Sequence, residues 1–335
     1  MNLLWVLFSL PIIFGILFLL SCLVLALNKR AMPPPCAFVQ TKWGKVHYCE
    51  RGEGAPVIML HGSNGSLYDY KLSIMDALAK EFRVIAIDRP GHGHTPRIFW
   101  GRDTCSWQGE LIKEAWKQLG VNRPILVGHS SAAAVVLDLA IRCPQDISGV
   151  VLLSGVVHCF EGDQVPVISI FNALNRRLLG TFLIWTLILP VGRLLGQRLL
   201  RFTFAPDAAP HQYRQVGLAL ALRPSSLKAE AEDLKCLIAT LSAIETRYSD
   251  IKVPLVLVVG EDDRIVPPEG QSLRLHQEVK GSELILLKRT GHMPMFTQPQ
   301  AVMEAVRKVK IKVDELSREK IDGIVQHLHL MEDRE

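Results

Sequence analysis

Ile125-Leu126-Val127-Gly128-His129-Ser130-Ser131-Ala132-Ala133-Ala134 reads as a strand that runs straight into a helix. Pro124 opens a short apolar run with no polar alternation, which suits a strand buried on both faces. Ser131 to Arg142 then has the composition of a helix. Only Ser130 is left to make the turn. A turn that sharp forces strand and helix backbones together, so the residues two before and two after must be small. Gly128 and Ala132 meet that need, and Gly128-x-Ser130-x-Ala132 has the form of a nucleophile elbow. An ordinary serine at a strand end is the alternative. The strand immediately before it and the helix immediately after favour the elbow.

Working outward, the same kind of apolar run recurs. Pro56 to His61, Arg83 to Asp88, Val150 to Ser154, Pro254 to Gly260 and Glu283 to Lys288 all read as buried strands, and Ala37 to Thr41 with Lys45 to Glu50 as a hairpin turning at Trp43-Gly44. Helical patterns lie between them at Tyr70 to Lys80, Thr104 to Leu119 and Gly270 to Val279, with a last one at Gln300 to His327. This alternation predicts a doubly wound, mostly parallel sheet with its chemistry beyond the carboxyl ends of the strands.

Four further motifs follow such strands in order. They are His61-Gly62-Ser63, Asp88-Arg89-Pro90-Gly91-His92-Gly93, Gly260-Glu261-Asp262-Asp263-Arg264-Ile265-Val266-Pro267 and Gly291-His292-Met293-Pro294. Together with the elbow they make the chain, over about residues 45–305, resemble the α/β-hydrolase fold family. The resemblance implies a mostly parallel eight-stranded sheet flanked by helices, with a helical cap inserted after the sixth strand. It implies Ser130 as nucleophile, His292 as base and Asp263 as the acid. It also implies backbone N–H groups of Ser63 and Ser131 as the oxyanion hole. Asp262 adjoins Asp263, and some relatives carry the acid after the sixth strand, where Glu161 and Asp163 lie. A serine at position 130 sets the chain apart from dehalogenases and epoxide hydrolases of this fold, which use Asp there.

The stretch 158–250 has no strand pattern and is too long for a loop, so it reads as the helical cap. It divides a core of residues 37–157 from a second part, 251–335. Phe171, Phe182 and Trp185 in the cap, with Phe99 and Trp100 after the Pro-Gly turn, are candidate pocket residues, though the cap aromatics suit simple burial as well. Leu178 to Val191 is apolar but only 14 residues long, short for a membrane span and fitting a buried or interfacial helix.

Residues 1–28 contain no charged side chain, and Leu3 to Leu27 is long enough to cross a bilayer. This reads as an uncleaved single-pass anchor, followed by a linker, 29–36. Leu19-Leu20-Ser21-Cys22 is a weaker lipoprotein-type pattern. Lys29 and Arg30 favour the catalytic domain on the cytoplasmic face.

With 49% hydrophobic and 21% charged residues, the composition excludes a disordered, collagenous or coiled-coil chain. A net charge of +5 spread over 335 residues, with no nucleic-acid-binding motif, argues against nucleic acid as a partner. Seven scattered cysteines without a CxxC argue against a disulfide framework. His92 and His94 lack a third ligand at a metal spacing, and no nucleotide-binding motif is present, so neither metal nor cofactor is expected. The sequence reading is thus a membrane-anchored serine hydrolase acting on a small hydrophobic ester or lipid, with the cap as a second membrane contact. A C–C bond hydrolase, amidase or perhydrolase would use the same triad. A non-catalytic binding protein of this fold is the rival class, and it has no need of all three triad residues.

Overall fold

The computed structural model describes residues 3–31, 33–98, 105–159, 173–174 and 176–332. Phe99, Trp100, Glu161, Asp163 and Phe171 lie outside the described residues.

Eight strands form one sheet: β1 (Ala37–Thr41), β2 (Gly44–Arg51), β3 (Ala55–Leu60), β4 (Phe82–Ile87), β5 (Ile125–His129), β6 (Gly149–Leu153), β7 (Leu255–Gly260) and β8 (Glu283–Leu287). Their order is β1-β2-β4-β3-β5-β6-β7-β8. β1 and β2 pair antiparallel, as do β2 and β4, and every other pairing is parallel. Strands β5, β6 and β7 are buried at every position, which is why their sequences are continuous apolar runs.

The crossovers are α2 (Tyr68–Lys71), α3 (Met75–Leu78), α4 (Cys105–Gln118) and α5 (Ala132–Arg142). The single helix expected over 70–80 is broken in two. Ser73 Oγ donates to the carbonyls of Asp69 and Tyr70, a side-chain bond that competes with helix continuation.

Between β6 and β7 come α6 (Arg177–Phe204), α7 (His211–Ala221) and α8 (Pro224–Ile244). After β7 come α9 (Arg274–Glu278), α10 (Pro294–Thr297) and the long α11 (Pro299–Glu332), which packs on β6 and β7. The apolar run 178–191 belongs to a helix of 28 residues, twice the length read from hydrophobicity alone. A π-helical turn at Ile184–Ile188 bulges it just before Pro190. Proline has no N–H to donate to the carbonyl four residues back, and the widened turn absorbs that loss.

Helix α1 (Leu3–Ala31) lies against this bulge. Phe14 meets Phe182 edge-on at 5.0 Å, Phe18 meets Trp185 at 5.4 Å, and Ser21 Oγ donates to the Trp185 carbonyl at 2.7 Å. Ser9–Leu27 and Arg177–Phe204 are both long and apolar enough to cross a membrane.

The cysteine reading needs one correction. Cys36 and Cys49 form a disulfide, tying the linker to β2 with their Cα atoms 5.2 Å apart. Ala37 pairs with Tyr48 in the β1–β2 ladder, so one more step of the same register sets Cys36 opposite Cys49.

Candidate active site

Ser130 sits between β5 and α5 with φ +52°, a left-handed conformation that costs a non-glycine residue about 1–3 kcal/mol. The strain is held by bonds on both sides: Ser130 N–H donates to the Leu153 carbonyl, and the Ser130 carbonyl accepts from Ala133 and Val156. The small-residue requirement is met at two glycines. A Cβ on Gly128 would lie 2.9 Å from Val136 Cγ2, and one on Gly62 would lie 2.7 Å from Ser130 Cβ.

His292, on the loop after β8, donates from Nδ1 to Asp263 Oδ2 at 2.8 Å. Asp263 Oδ1 accepts from Ile265 and Val266 N–H, each at 2.9 Å. Burial pushes the Asp263 carboxyl up, but the His292 bond and charge and the two N–H groups outweigh it and hold the carboxyl below its ordinary value. Asp262 is exposed, whereas Asp263 is buried. His129 brings the His292 loop to the elbow: its Nε2–H donates to the His292 carbonyl at 2.9 Å, and the two rings lie 4.8 Å apart. No hydrogen bond joins Ser130 Oγ to His292 among the described residues; such bonds commonly tighten only with substrate bound.

Ser63 and Ser131 adjoin each other, Ser63 Oγ donating to Ser131 Oγ at 3.0 Å. Among the described residues neither backbone N–H has an acceptor, so both are available to an incoming oxyanion. Asp88 plays a structural part, accepting from Leu67 N–H, His94 N–H and His47 Nδ1. Phe182 and Trp185 face α1, and Trp185 also borders a cavity of about 580 Å³ between α6 and α8. The contacts described for them bring neither to Ser130. No group of three or more metal-ligating side chains occurs among the described residues.

Sequence reasoning missed a buried polar network beside the oxyanion-hole residues. Arg89 Nη1 donates to Ser131 Oγ at 3.2 Å, and Arg89 Nη2 donates to Asp233 of α8 at 2.7 Å. Burial pushes Asp233 up, but Arg89, His92 and Arg97 outweigh it and hold the carboxyl well below the carboxylate range. The sequence reading places Asp233 only within the helical cap, with no part in the site.

Two histidines around the elbow are held neutral. Burial, with the Arg89 charge second, lowers His61 to about 3; burial, with His292 second, lowers His129 to about 3. His61 Nδ1–H donates to the Gly62 carbonyl while Nε2 accepts from Arg89 N–H, so a second proton would break the latter bond. Between pH 6.5 and 3 the unfolded chain binds protons at both sites that the folded chain refuses, so acidification through that window favours unfolding. His94, lowered chiefly by burial to about 4, adds to the effect. Asp69 opposes it. Burial raises Asp69 to about 7 against the pull of Tyr213 and Ser66, so the folded state keeps a proton there that the unfolded state has lost. The histidines outnumber it. From pH 6.5 to 4.5 the unfolding free energy should fall by roughly 1–3 kcal/mol per pH unit, at about 1.4 per net proton. Urea titrations at pH 7 and 5 measure this. A midpoint that holds or rises at pH 5 contradicts the assignment of neutral His61 and His129.

The strand order and the strained serine at the end of β5 define a class, the doubly wound hydrolase type of α/β protein. The chain belongs to the alpha/beta hydrolase family, whose sequence profile matches residues 57–305. It is 25% identical over 261 residues to a pimeloyl-[acyl-carrier protein] methyl ester esterase of Aeromonas salmonicida, covering 76% of this chain and 95% of that one. It is 26% identical over 268 residues to a 2-hydroxy-6-oxo-6-phenylhexa-2,4-dienoate hydrolase of Burkholderia cepacia, covering 77% and 88%. Among solved structures, an enol-lactonase from Burkholderia xenovorans superposes with a TM-score of 0.66 at 19% identity, over 82% of this chain and all of that one. A bacterial membrane phospholipase A superposes with a TM-score of 0.65 at 19% identity, over 93% and 98%.

Proposed function

We propose that this protein is a membrane-anchored serine hydrolase that cleaves a carboxylic ester of a hydrophobic, lipid-like substrate. The observation that carries the reading is the Asp263–His292 hydrogen bond beside a serine held at positive φ. Ser130 Oγ attacks the ester carbonyl while His292 Nε2 takes its proton. Asp263 keeps the imidazole in the tautomer that leaves Nε2 bare and stabilises the imidazolium that forms. The N–H groups of Ser63 and Ser131 receive the oxyanion, each worth about 3 kcal/mol. Collapse expels the alcohol, protonated by His292, and leaves Ser130 acylated. Water, deprotonated by His292, then releases the acid by the same route. The inserted helices α6, α7 and α8, between β6 and β7, form the cap of this site.

Fluorophosphonate labelling followed by an ester chain-length series tests the reading. We expect one labelled serine and a preference for medium or long acyl chains. A protein that stays unlabelled is not a serine hydrolase. The dienoate hydrolase relatives support a second reading, C–C bond hydrolysis by the same triad. Turnover of a vinylogous diketone with inert esters would favour it.

The anchor is α1, and α6 is its companion. Leu178, Leu194 and Leu199 of α6 are more than 60% exposed, as are Ile12 and Leu19 of α1, a surface suited to lipid rather than water. The match to the membrane phospholipase A leaves 7% of 335 residues, about 23, uncovered, fewer than the 29 of α1, so it takes in part of that helix. For sidedness, Lys29 and Arg30 favour the cytoplasm, but the Cys36–Cys49 disulfide calls for an oxidising compartment and outweighs them. Positive-inside bias is a tendency that other segments override, whereas a disulfide in the folded domain needs its compartment. The protein should therefore stay in carbonate-washed membranes, and Cys36 and Cys49 should resist a maleimide added under denaturing conditions until they are reduced. Extraction by carbonate refutes the anchor. Free thiols at both positions return the domain to the cytoplasmic face.

A further inference from the structure

The oxyanion-hole residues are held from outside the core, by α8. Glu230 of α8 is buried, and its Oε2 accepts from the backbone N–H of Asn64 at 2.9 Å. Asn64 directly follows Ser63 and has φ +52°, a conformation that needs support. Its own Oδ1 is buried without a hydrogen-bond partner, so the side chain supplies none on that atom. One turn along the same helix face, Asp233 accepts from four groups. Arg89 Nη2 lies at 2.7 Å, Arg97 Nη1 at 2.8 Å, Gln108 Nε2 at 3.0 Å and His92 Nε2 at 3.2 Å. The Arg89 guanidinium passes the constraint on, through Nη1 to Ser131 Oγ, which also accepts from Ser63 Oγ. Both residues whose N–H groups face the oxyanion are thus fixed by carboxylates more than 100 positions away in the chain.

We propose that Glu230 and Asp233 are positioning residues that make the oxyanion hole depend on docking of α8: Glu230 sets the Ser63–Asn64 turn, and Asp233 sets Ser131 through Arg89. The inserted helices then do more than shape a pocket. When α8 is seated the two donors are aimed, and when it lifts they lose their aim. The inference rests on the serine-hydrolase reading.

The test uses the full-length protein in detergent and a short-chain p-nitrophenyl ester. Glu230→Gln keeps an acceptor for Asn64 N–H, whereas Glu230→Asp keeps the charge but withdraws it by one methylene. Losing one oxyanion donor costs 10²–10³ in kcat, so a misaimed donor should cost about 10- to 100-fold. We expect Glu230→Asp to lose that much in kcat with KM changed less than threefold, and to bind a trifluoromethyl ketone correspondingly more weakly. Glu230→Gln should stay within about threefold of wild type. Asp233→Asn, which keeps the shape but drops the charge facing Arg89, should behave like Glu230→Asp. It serves as the second probe if Glu230→Asp fails to fold. Wild-type kcat in both Glu230→Asp and Asp233→Asn overturns the proposal, as does a loss confined to KM or to the thermal midpoint. An inert wild-type protein that no fluorophosphonate labels overturns the hydrolase reading itself, and the proposal with it.

Discussion

Ser130→Ala should reduce ester turnover by about 10⁴-fold or more and abolish fluorophosphonate labelling, while the thermal midpoint stays within a few degrees of wild type. The two halves of this expectation have separate causes. The activity falls because no other hydroxyl takes the place of Ser130: Ser63 and Ser131 Oγ are bonded to each other, and Ser131 Oγ also to Arg89. The stability holds because the bonds that fix the turn are backbone bonds, through Ser130 N–H and its carbonyl, which alanine keeps. Ser130→Gly should go further and raise stability, since glycine adopts φ +52° without strain. If Ser130→Ala keeps more than a few per cent of turnover, the nucleophile is elsewhere. If it unfolds the protein, the serine side chain holds the elbow as well as acting in it.

The sheet was legible in the sequence because strands buried on both faces leave no room for alternation, and all eight strands, the β1–β2 hairpin included, were read to within one residue at each end. The elbow was legible for a steric reason, the need for Gly128 and Ala132 around a left-handed residue. What stayed hidden depends on packing at long range. Glu230 and Asp233 look like the solvated carboxylates of a mixed-charge helix, and only their burial against Arg89 and Asn64 separates them from that. The length of α6 was hidden by Arg193, Arg198 and Arg201, which interrupt the apolar run yet lie exposed on a continuous helix. Cys36 and Cys49 belong to no motif. Their signal lay in the hairpin register, but the turn falls at Lys42-Trp43, with Gly44 paired to Thr41, whereas the Trp43-Gly44 turn read from the sequence would set Cys36 opposite Arg51. The candidate site divides in the same way. Asp263 and His292 could be found from loop motifs, whereas the groups that aim the oxyanion donors could not.

Asp263→Asn should lower kcat by about 10³- to 10⁴-fold, and Asp262→Asn by no more than a few-fold. The difference follows from how the two oxygens of Asp263 are used. Oδ1 accepts two backbone N–H groups, from Ile265 and Val266, and Oδ2 accepts Nδ1–H of His292. An asparagine has one acceptor oxygen for these three donors. Turning its NH₂ toward Ile265 and Val266 would set donor against two donors, so the oxygen stays there and the NH₂ faces His292. Nδ1 must then accept, and the ring proton moves to Nε2, the atom that has to receive the proton of Ser130. The variant therefore holds the imidazole in place in the wrong tautomer, a defect that misses KM and the fold but reaches kcat. Asp262 has an exposed side chain and none of these partners among the described residues, and its backbone N–H bond to the Thr290 carbonyl survives the substitution. Steady-state rates on a p-nitrophenyl ester with thermal midpoints for both variants measure the contrast. A large loss in Asp262→Asn with near-wild-type Asp263→Asn would move the acid by one residue and require a rearranged loop after β7.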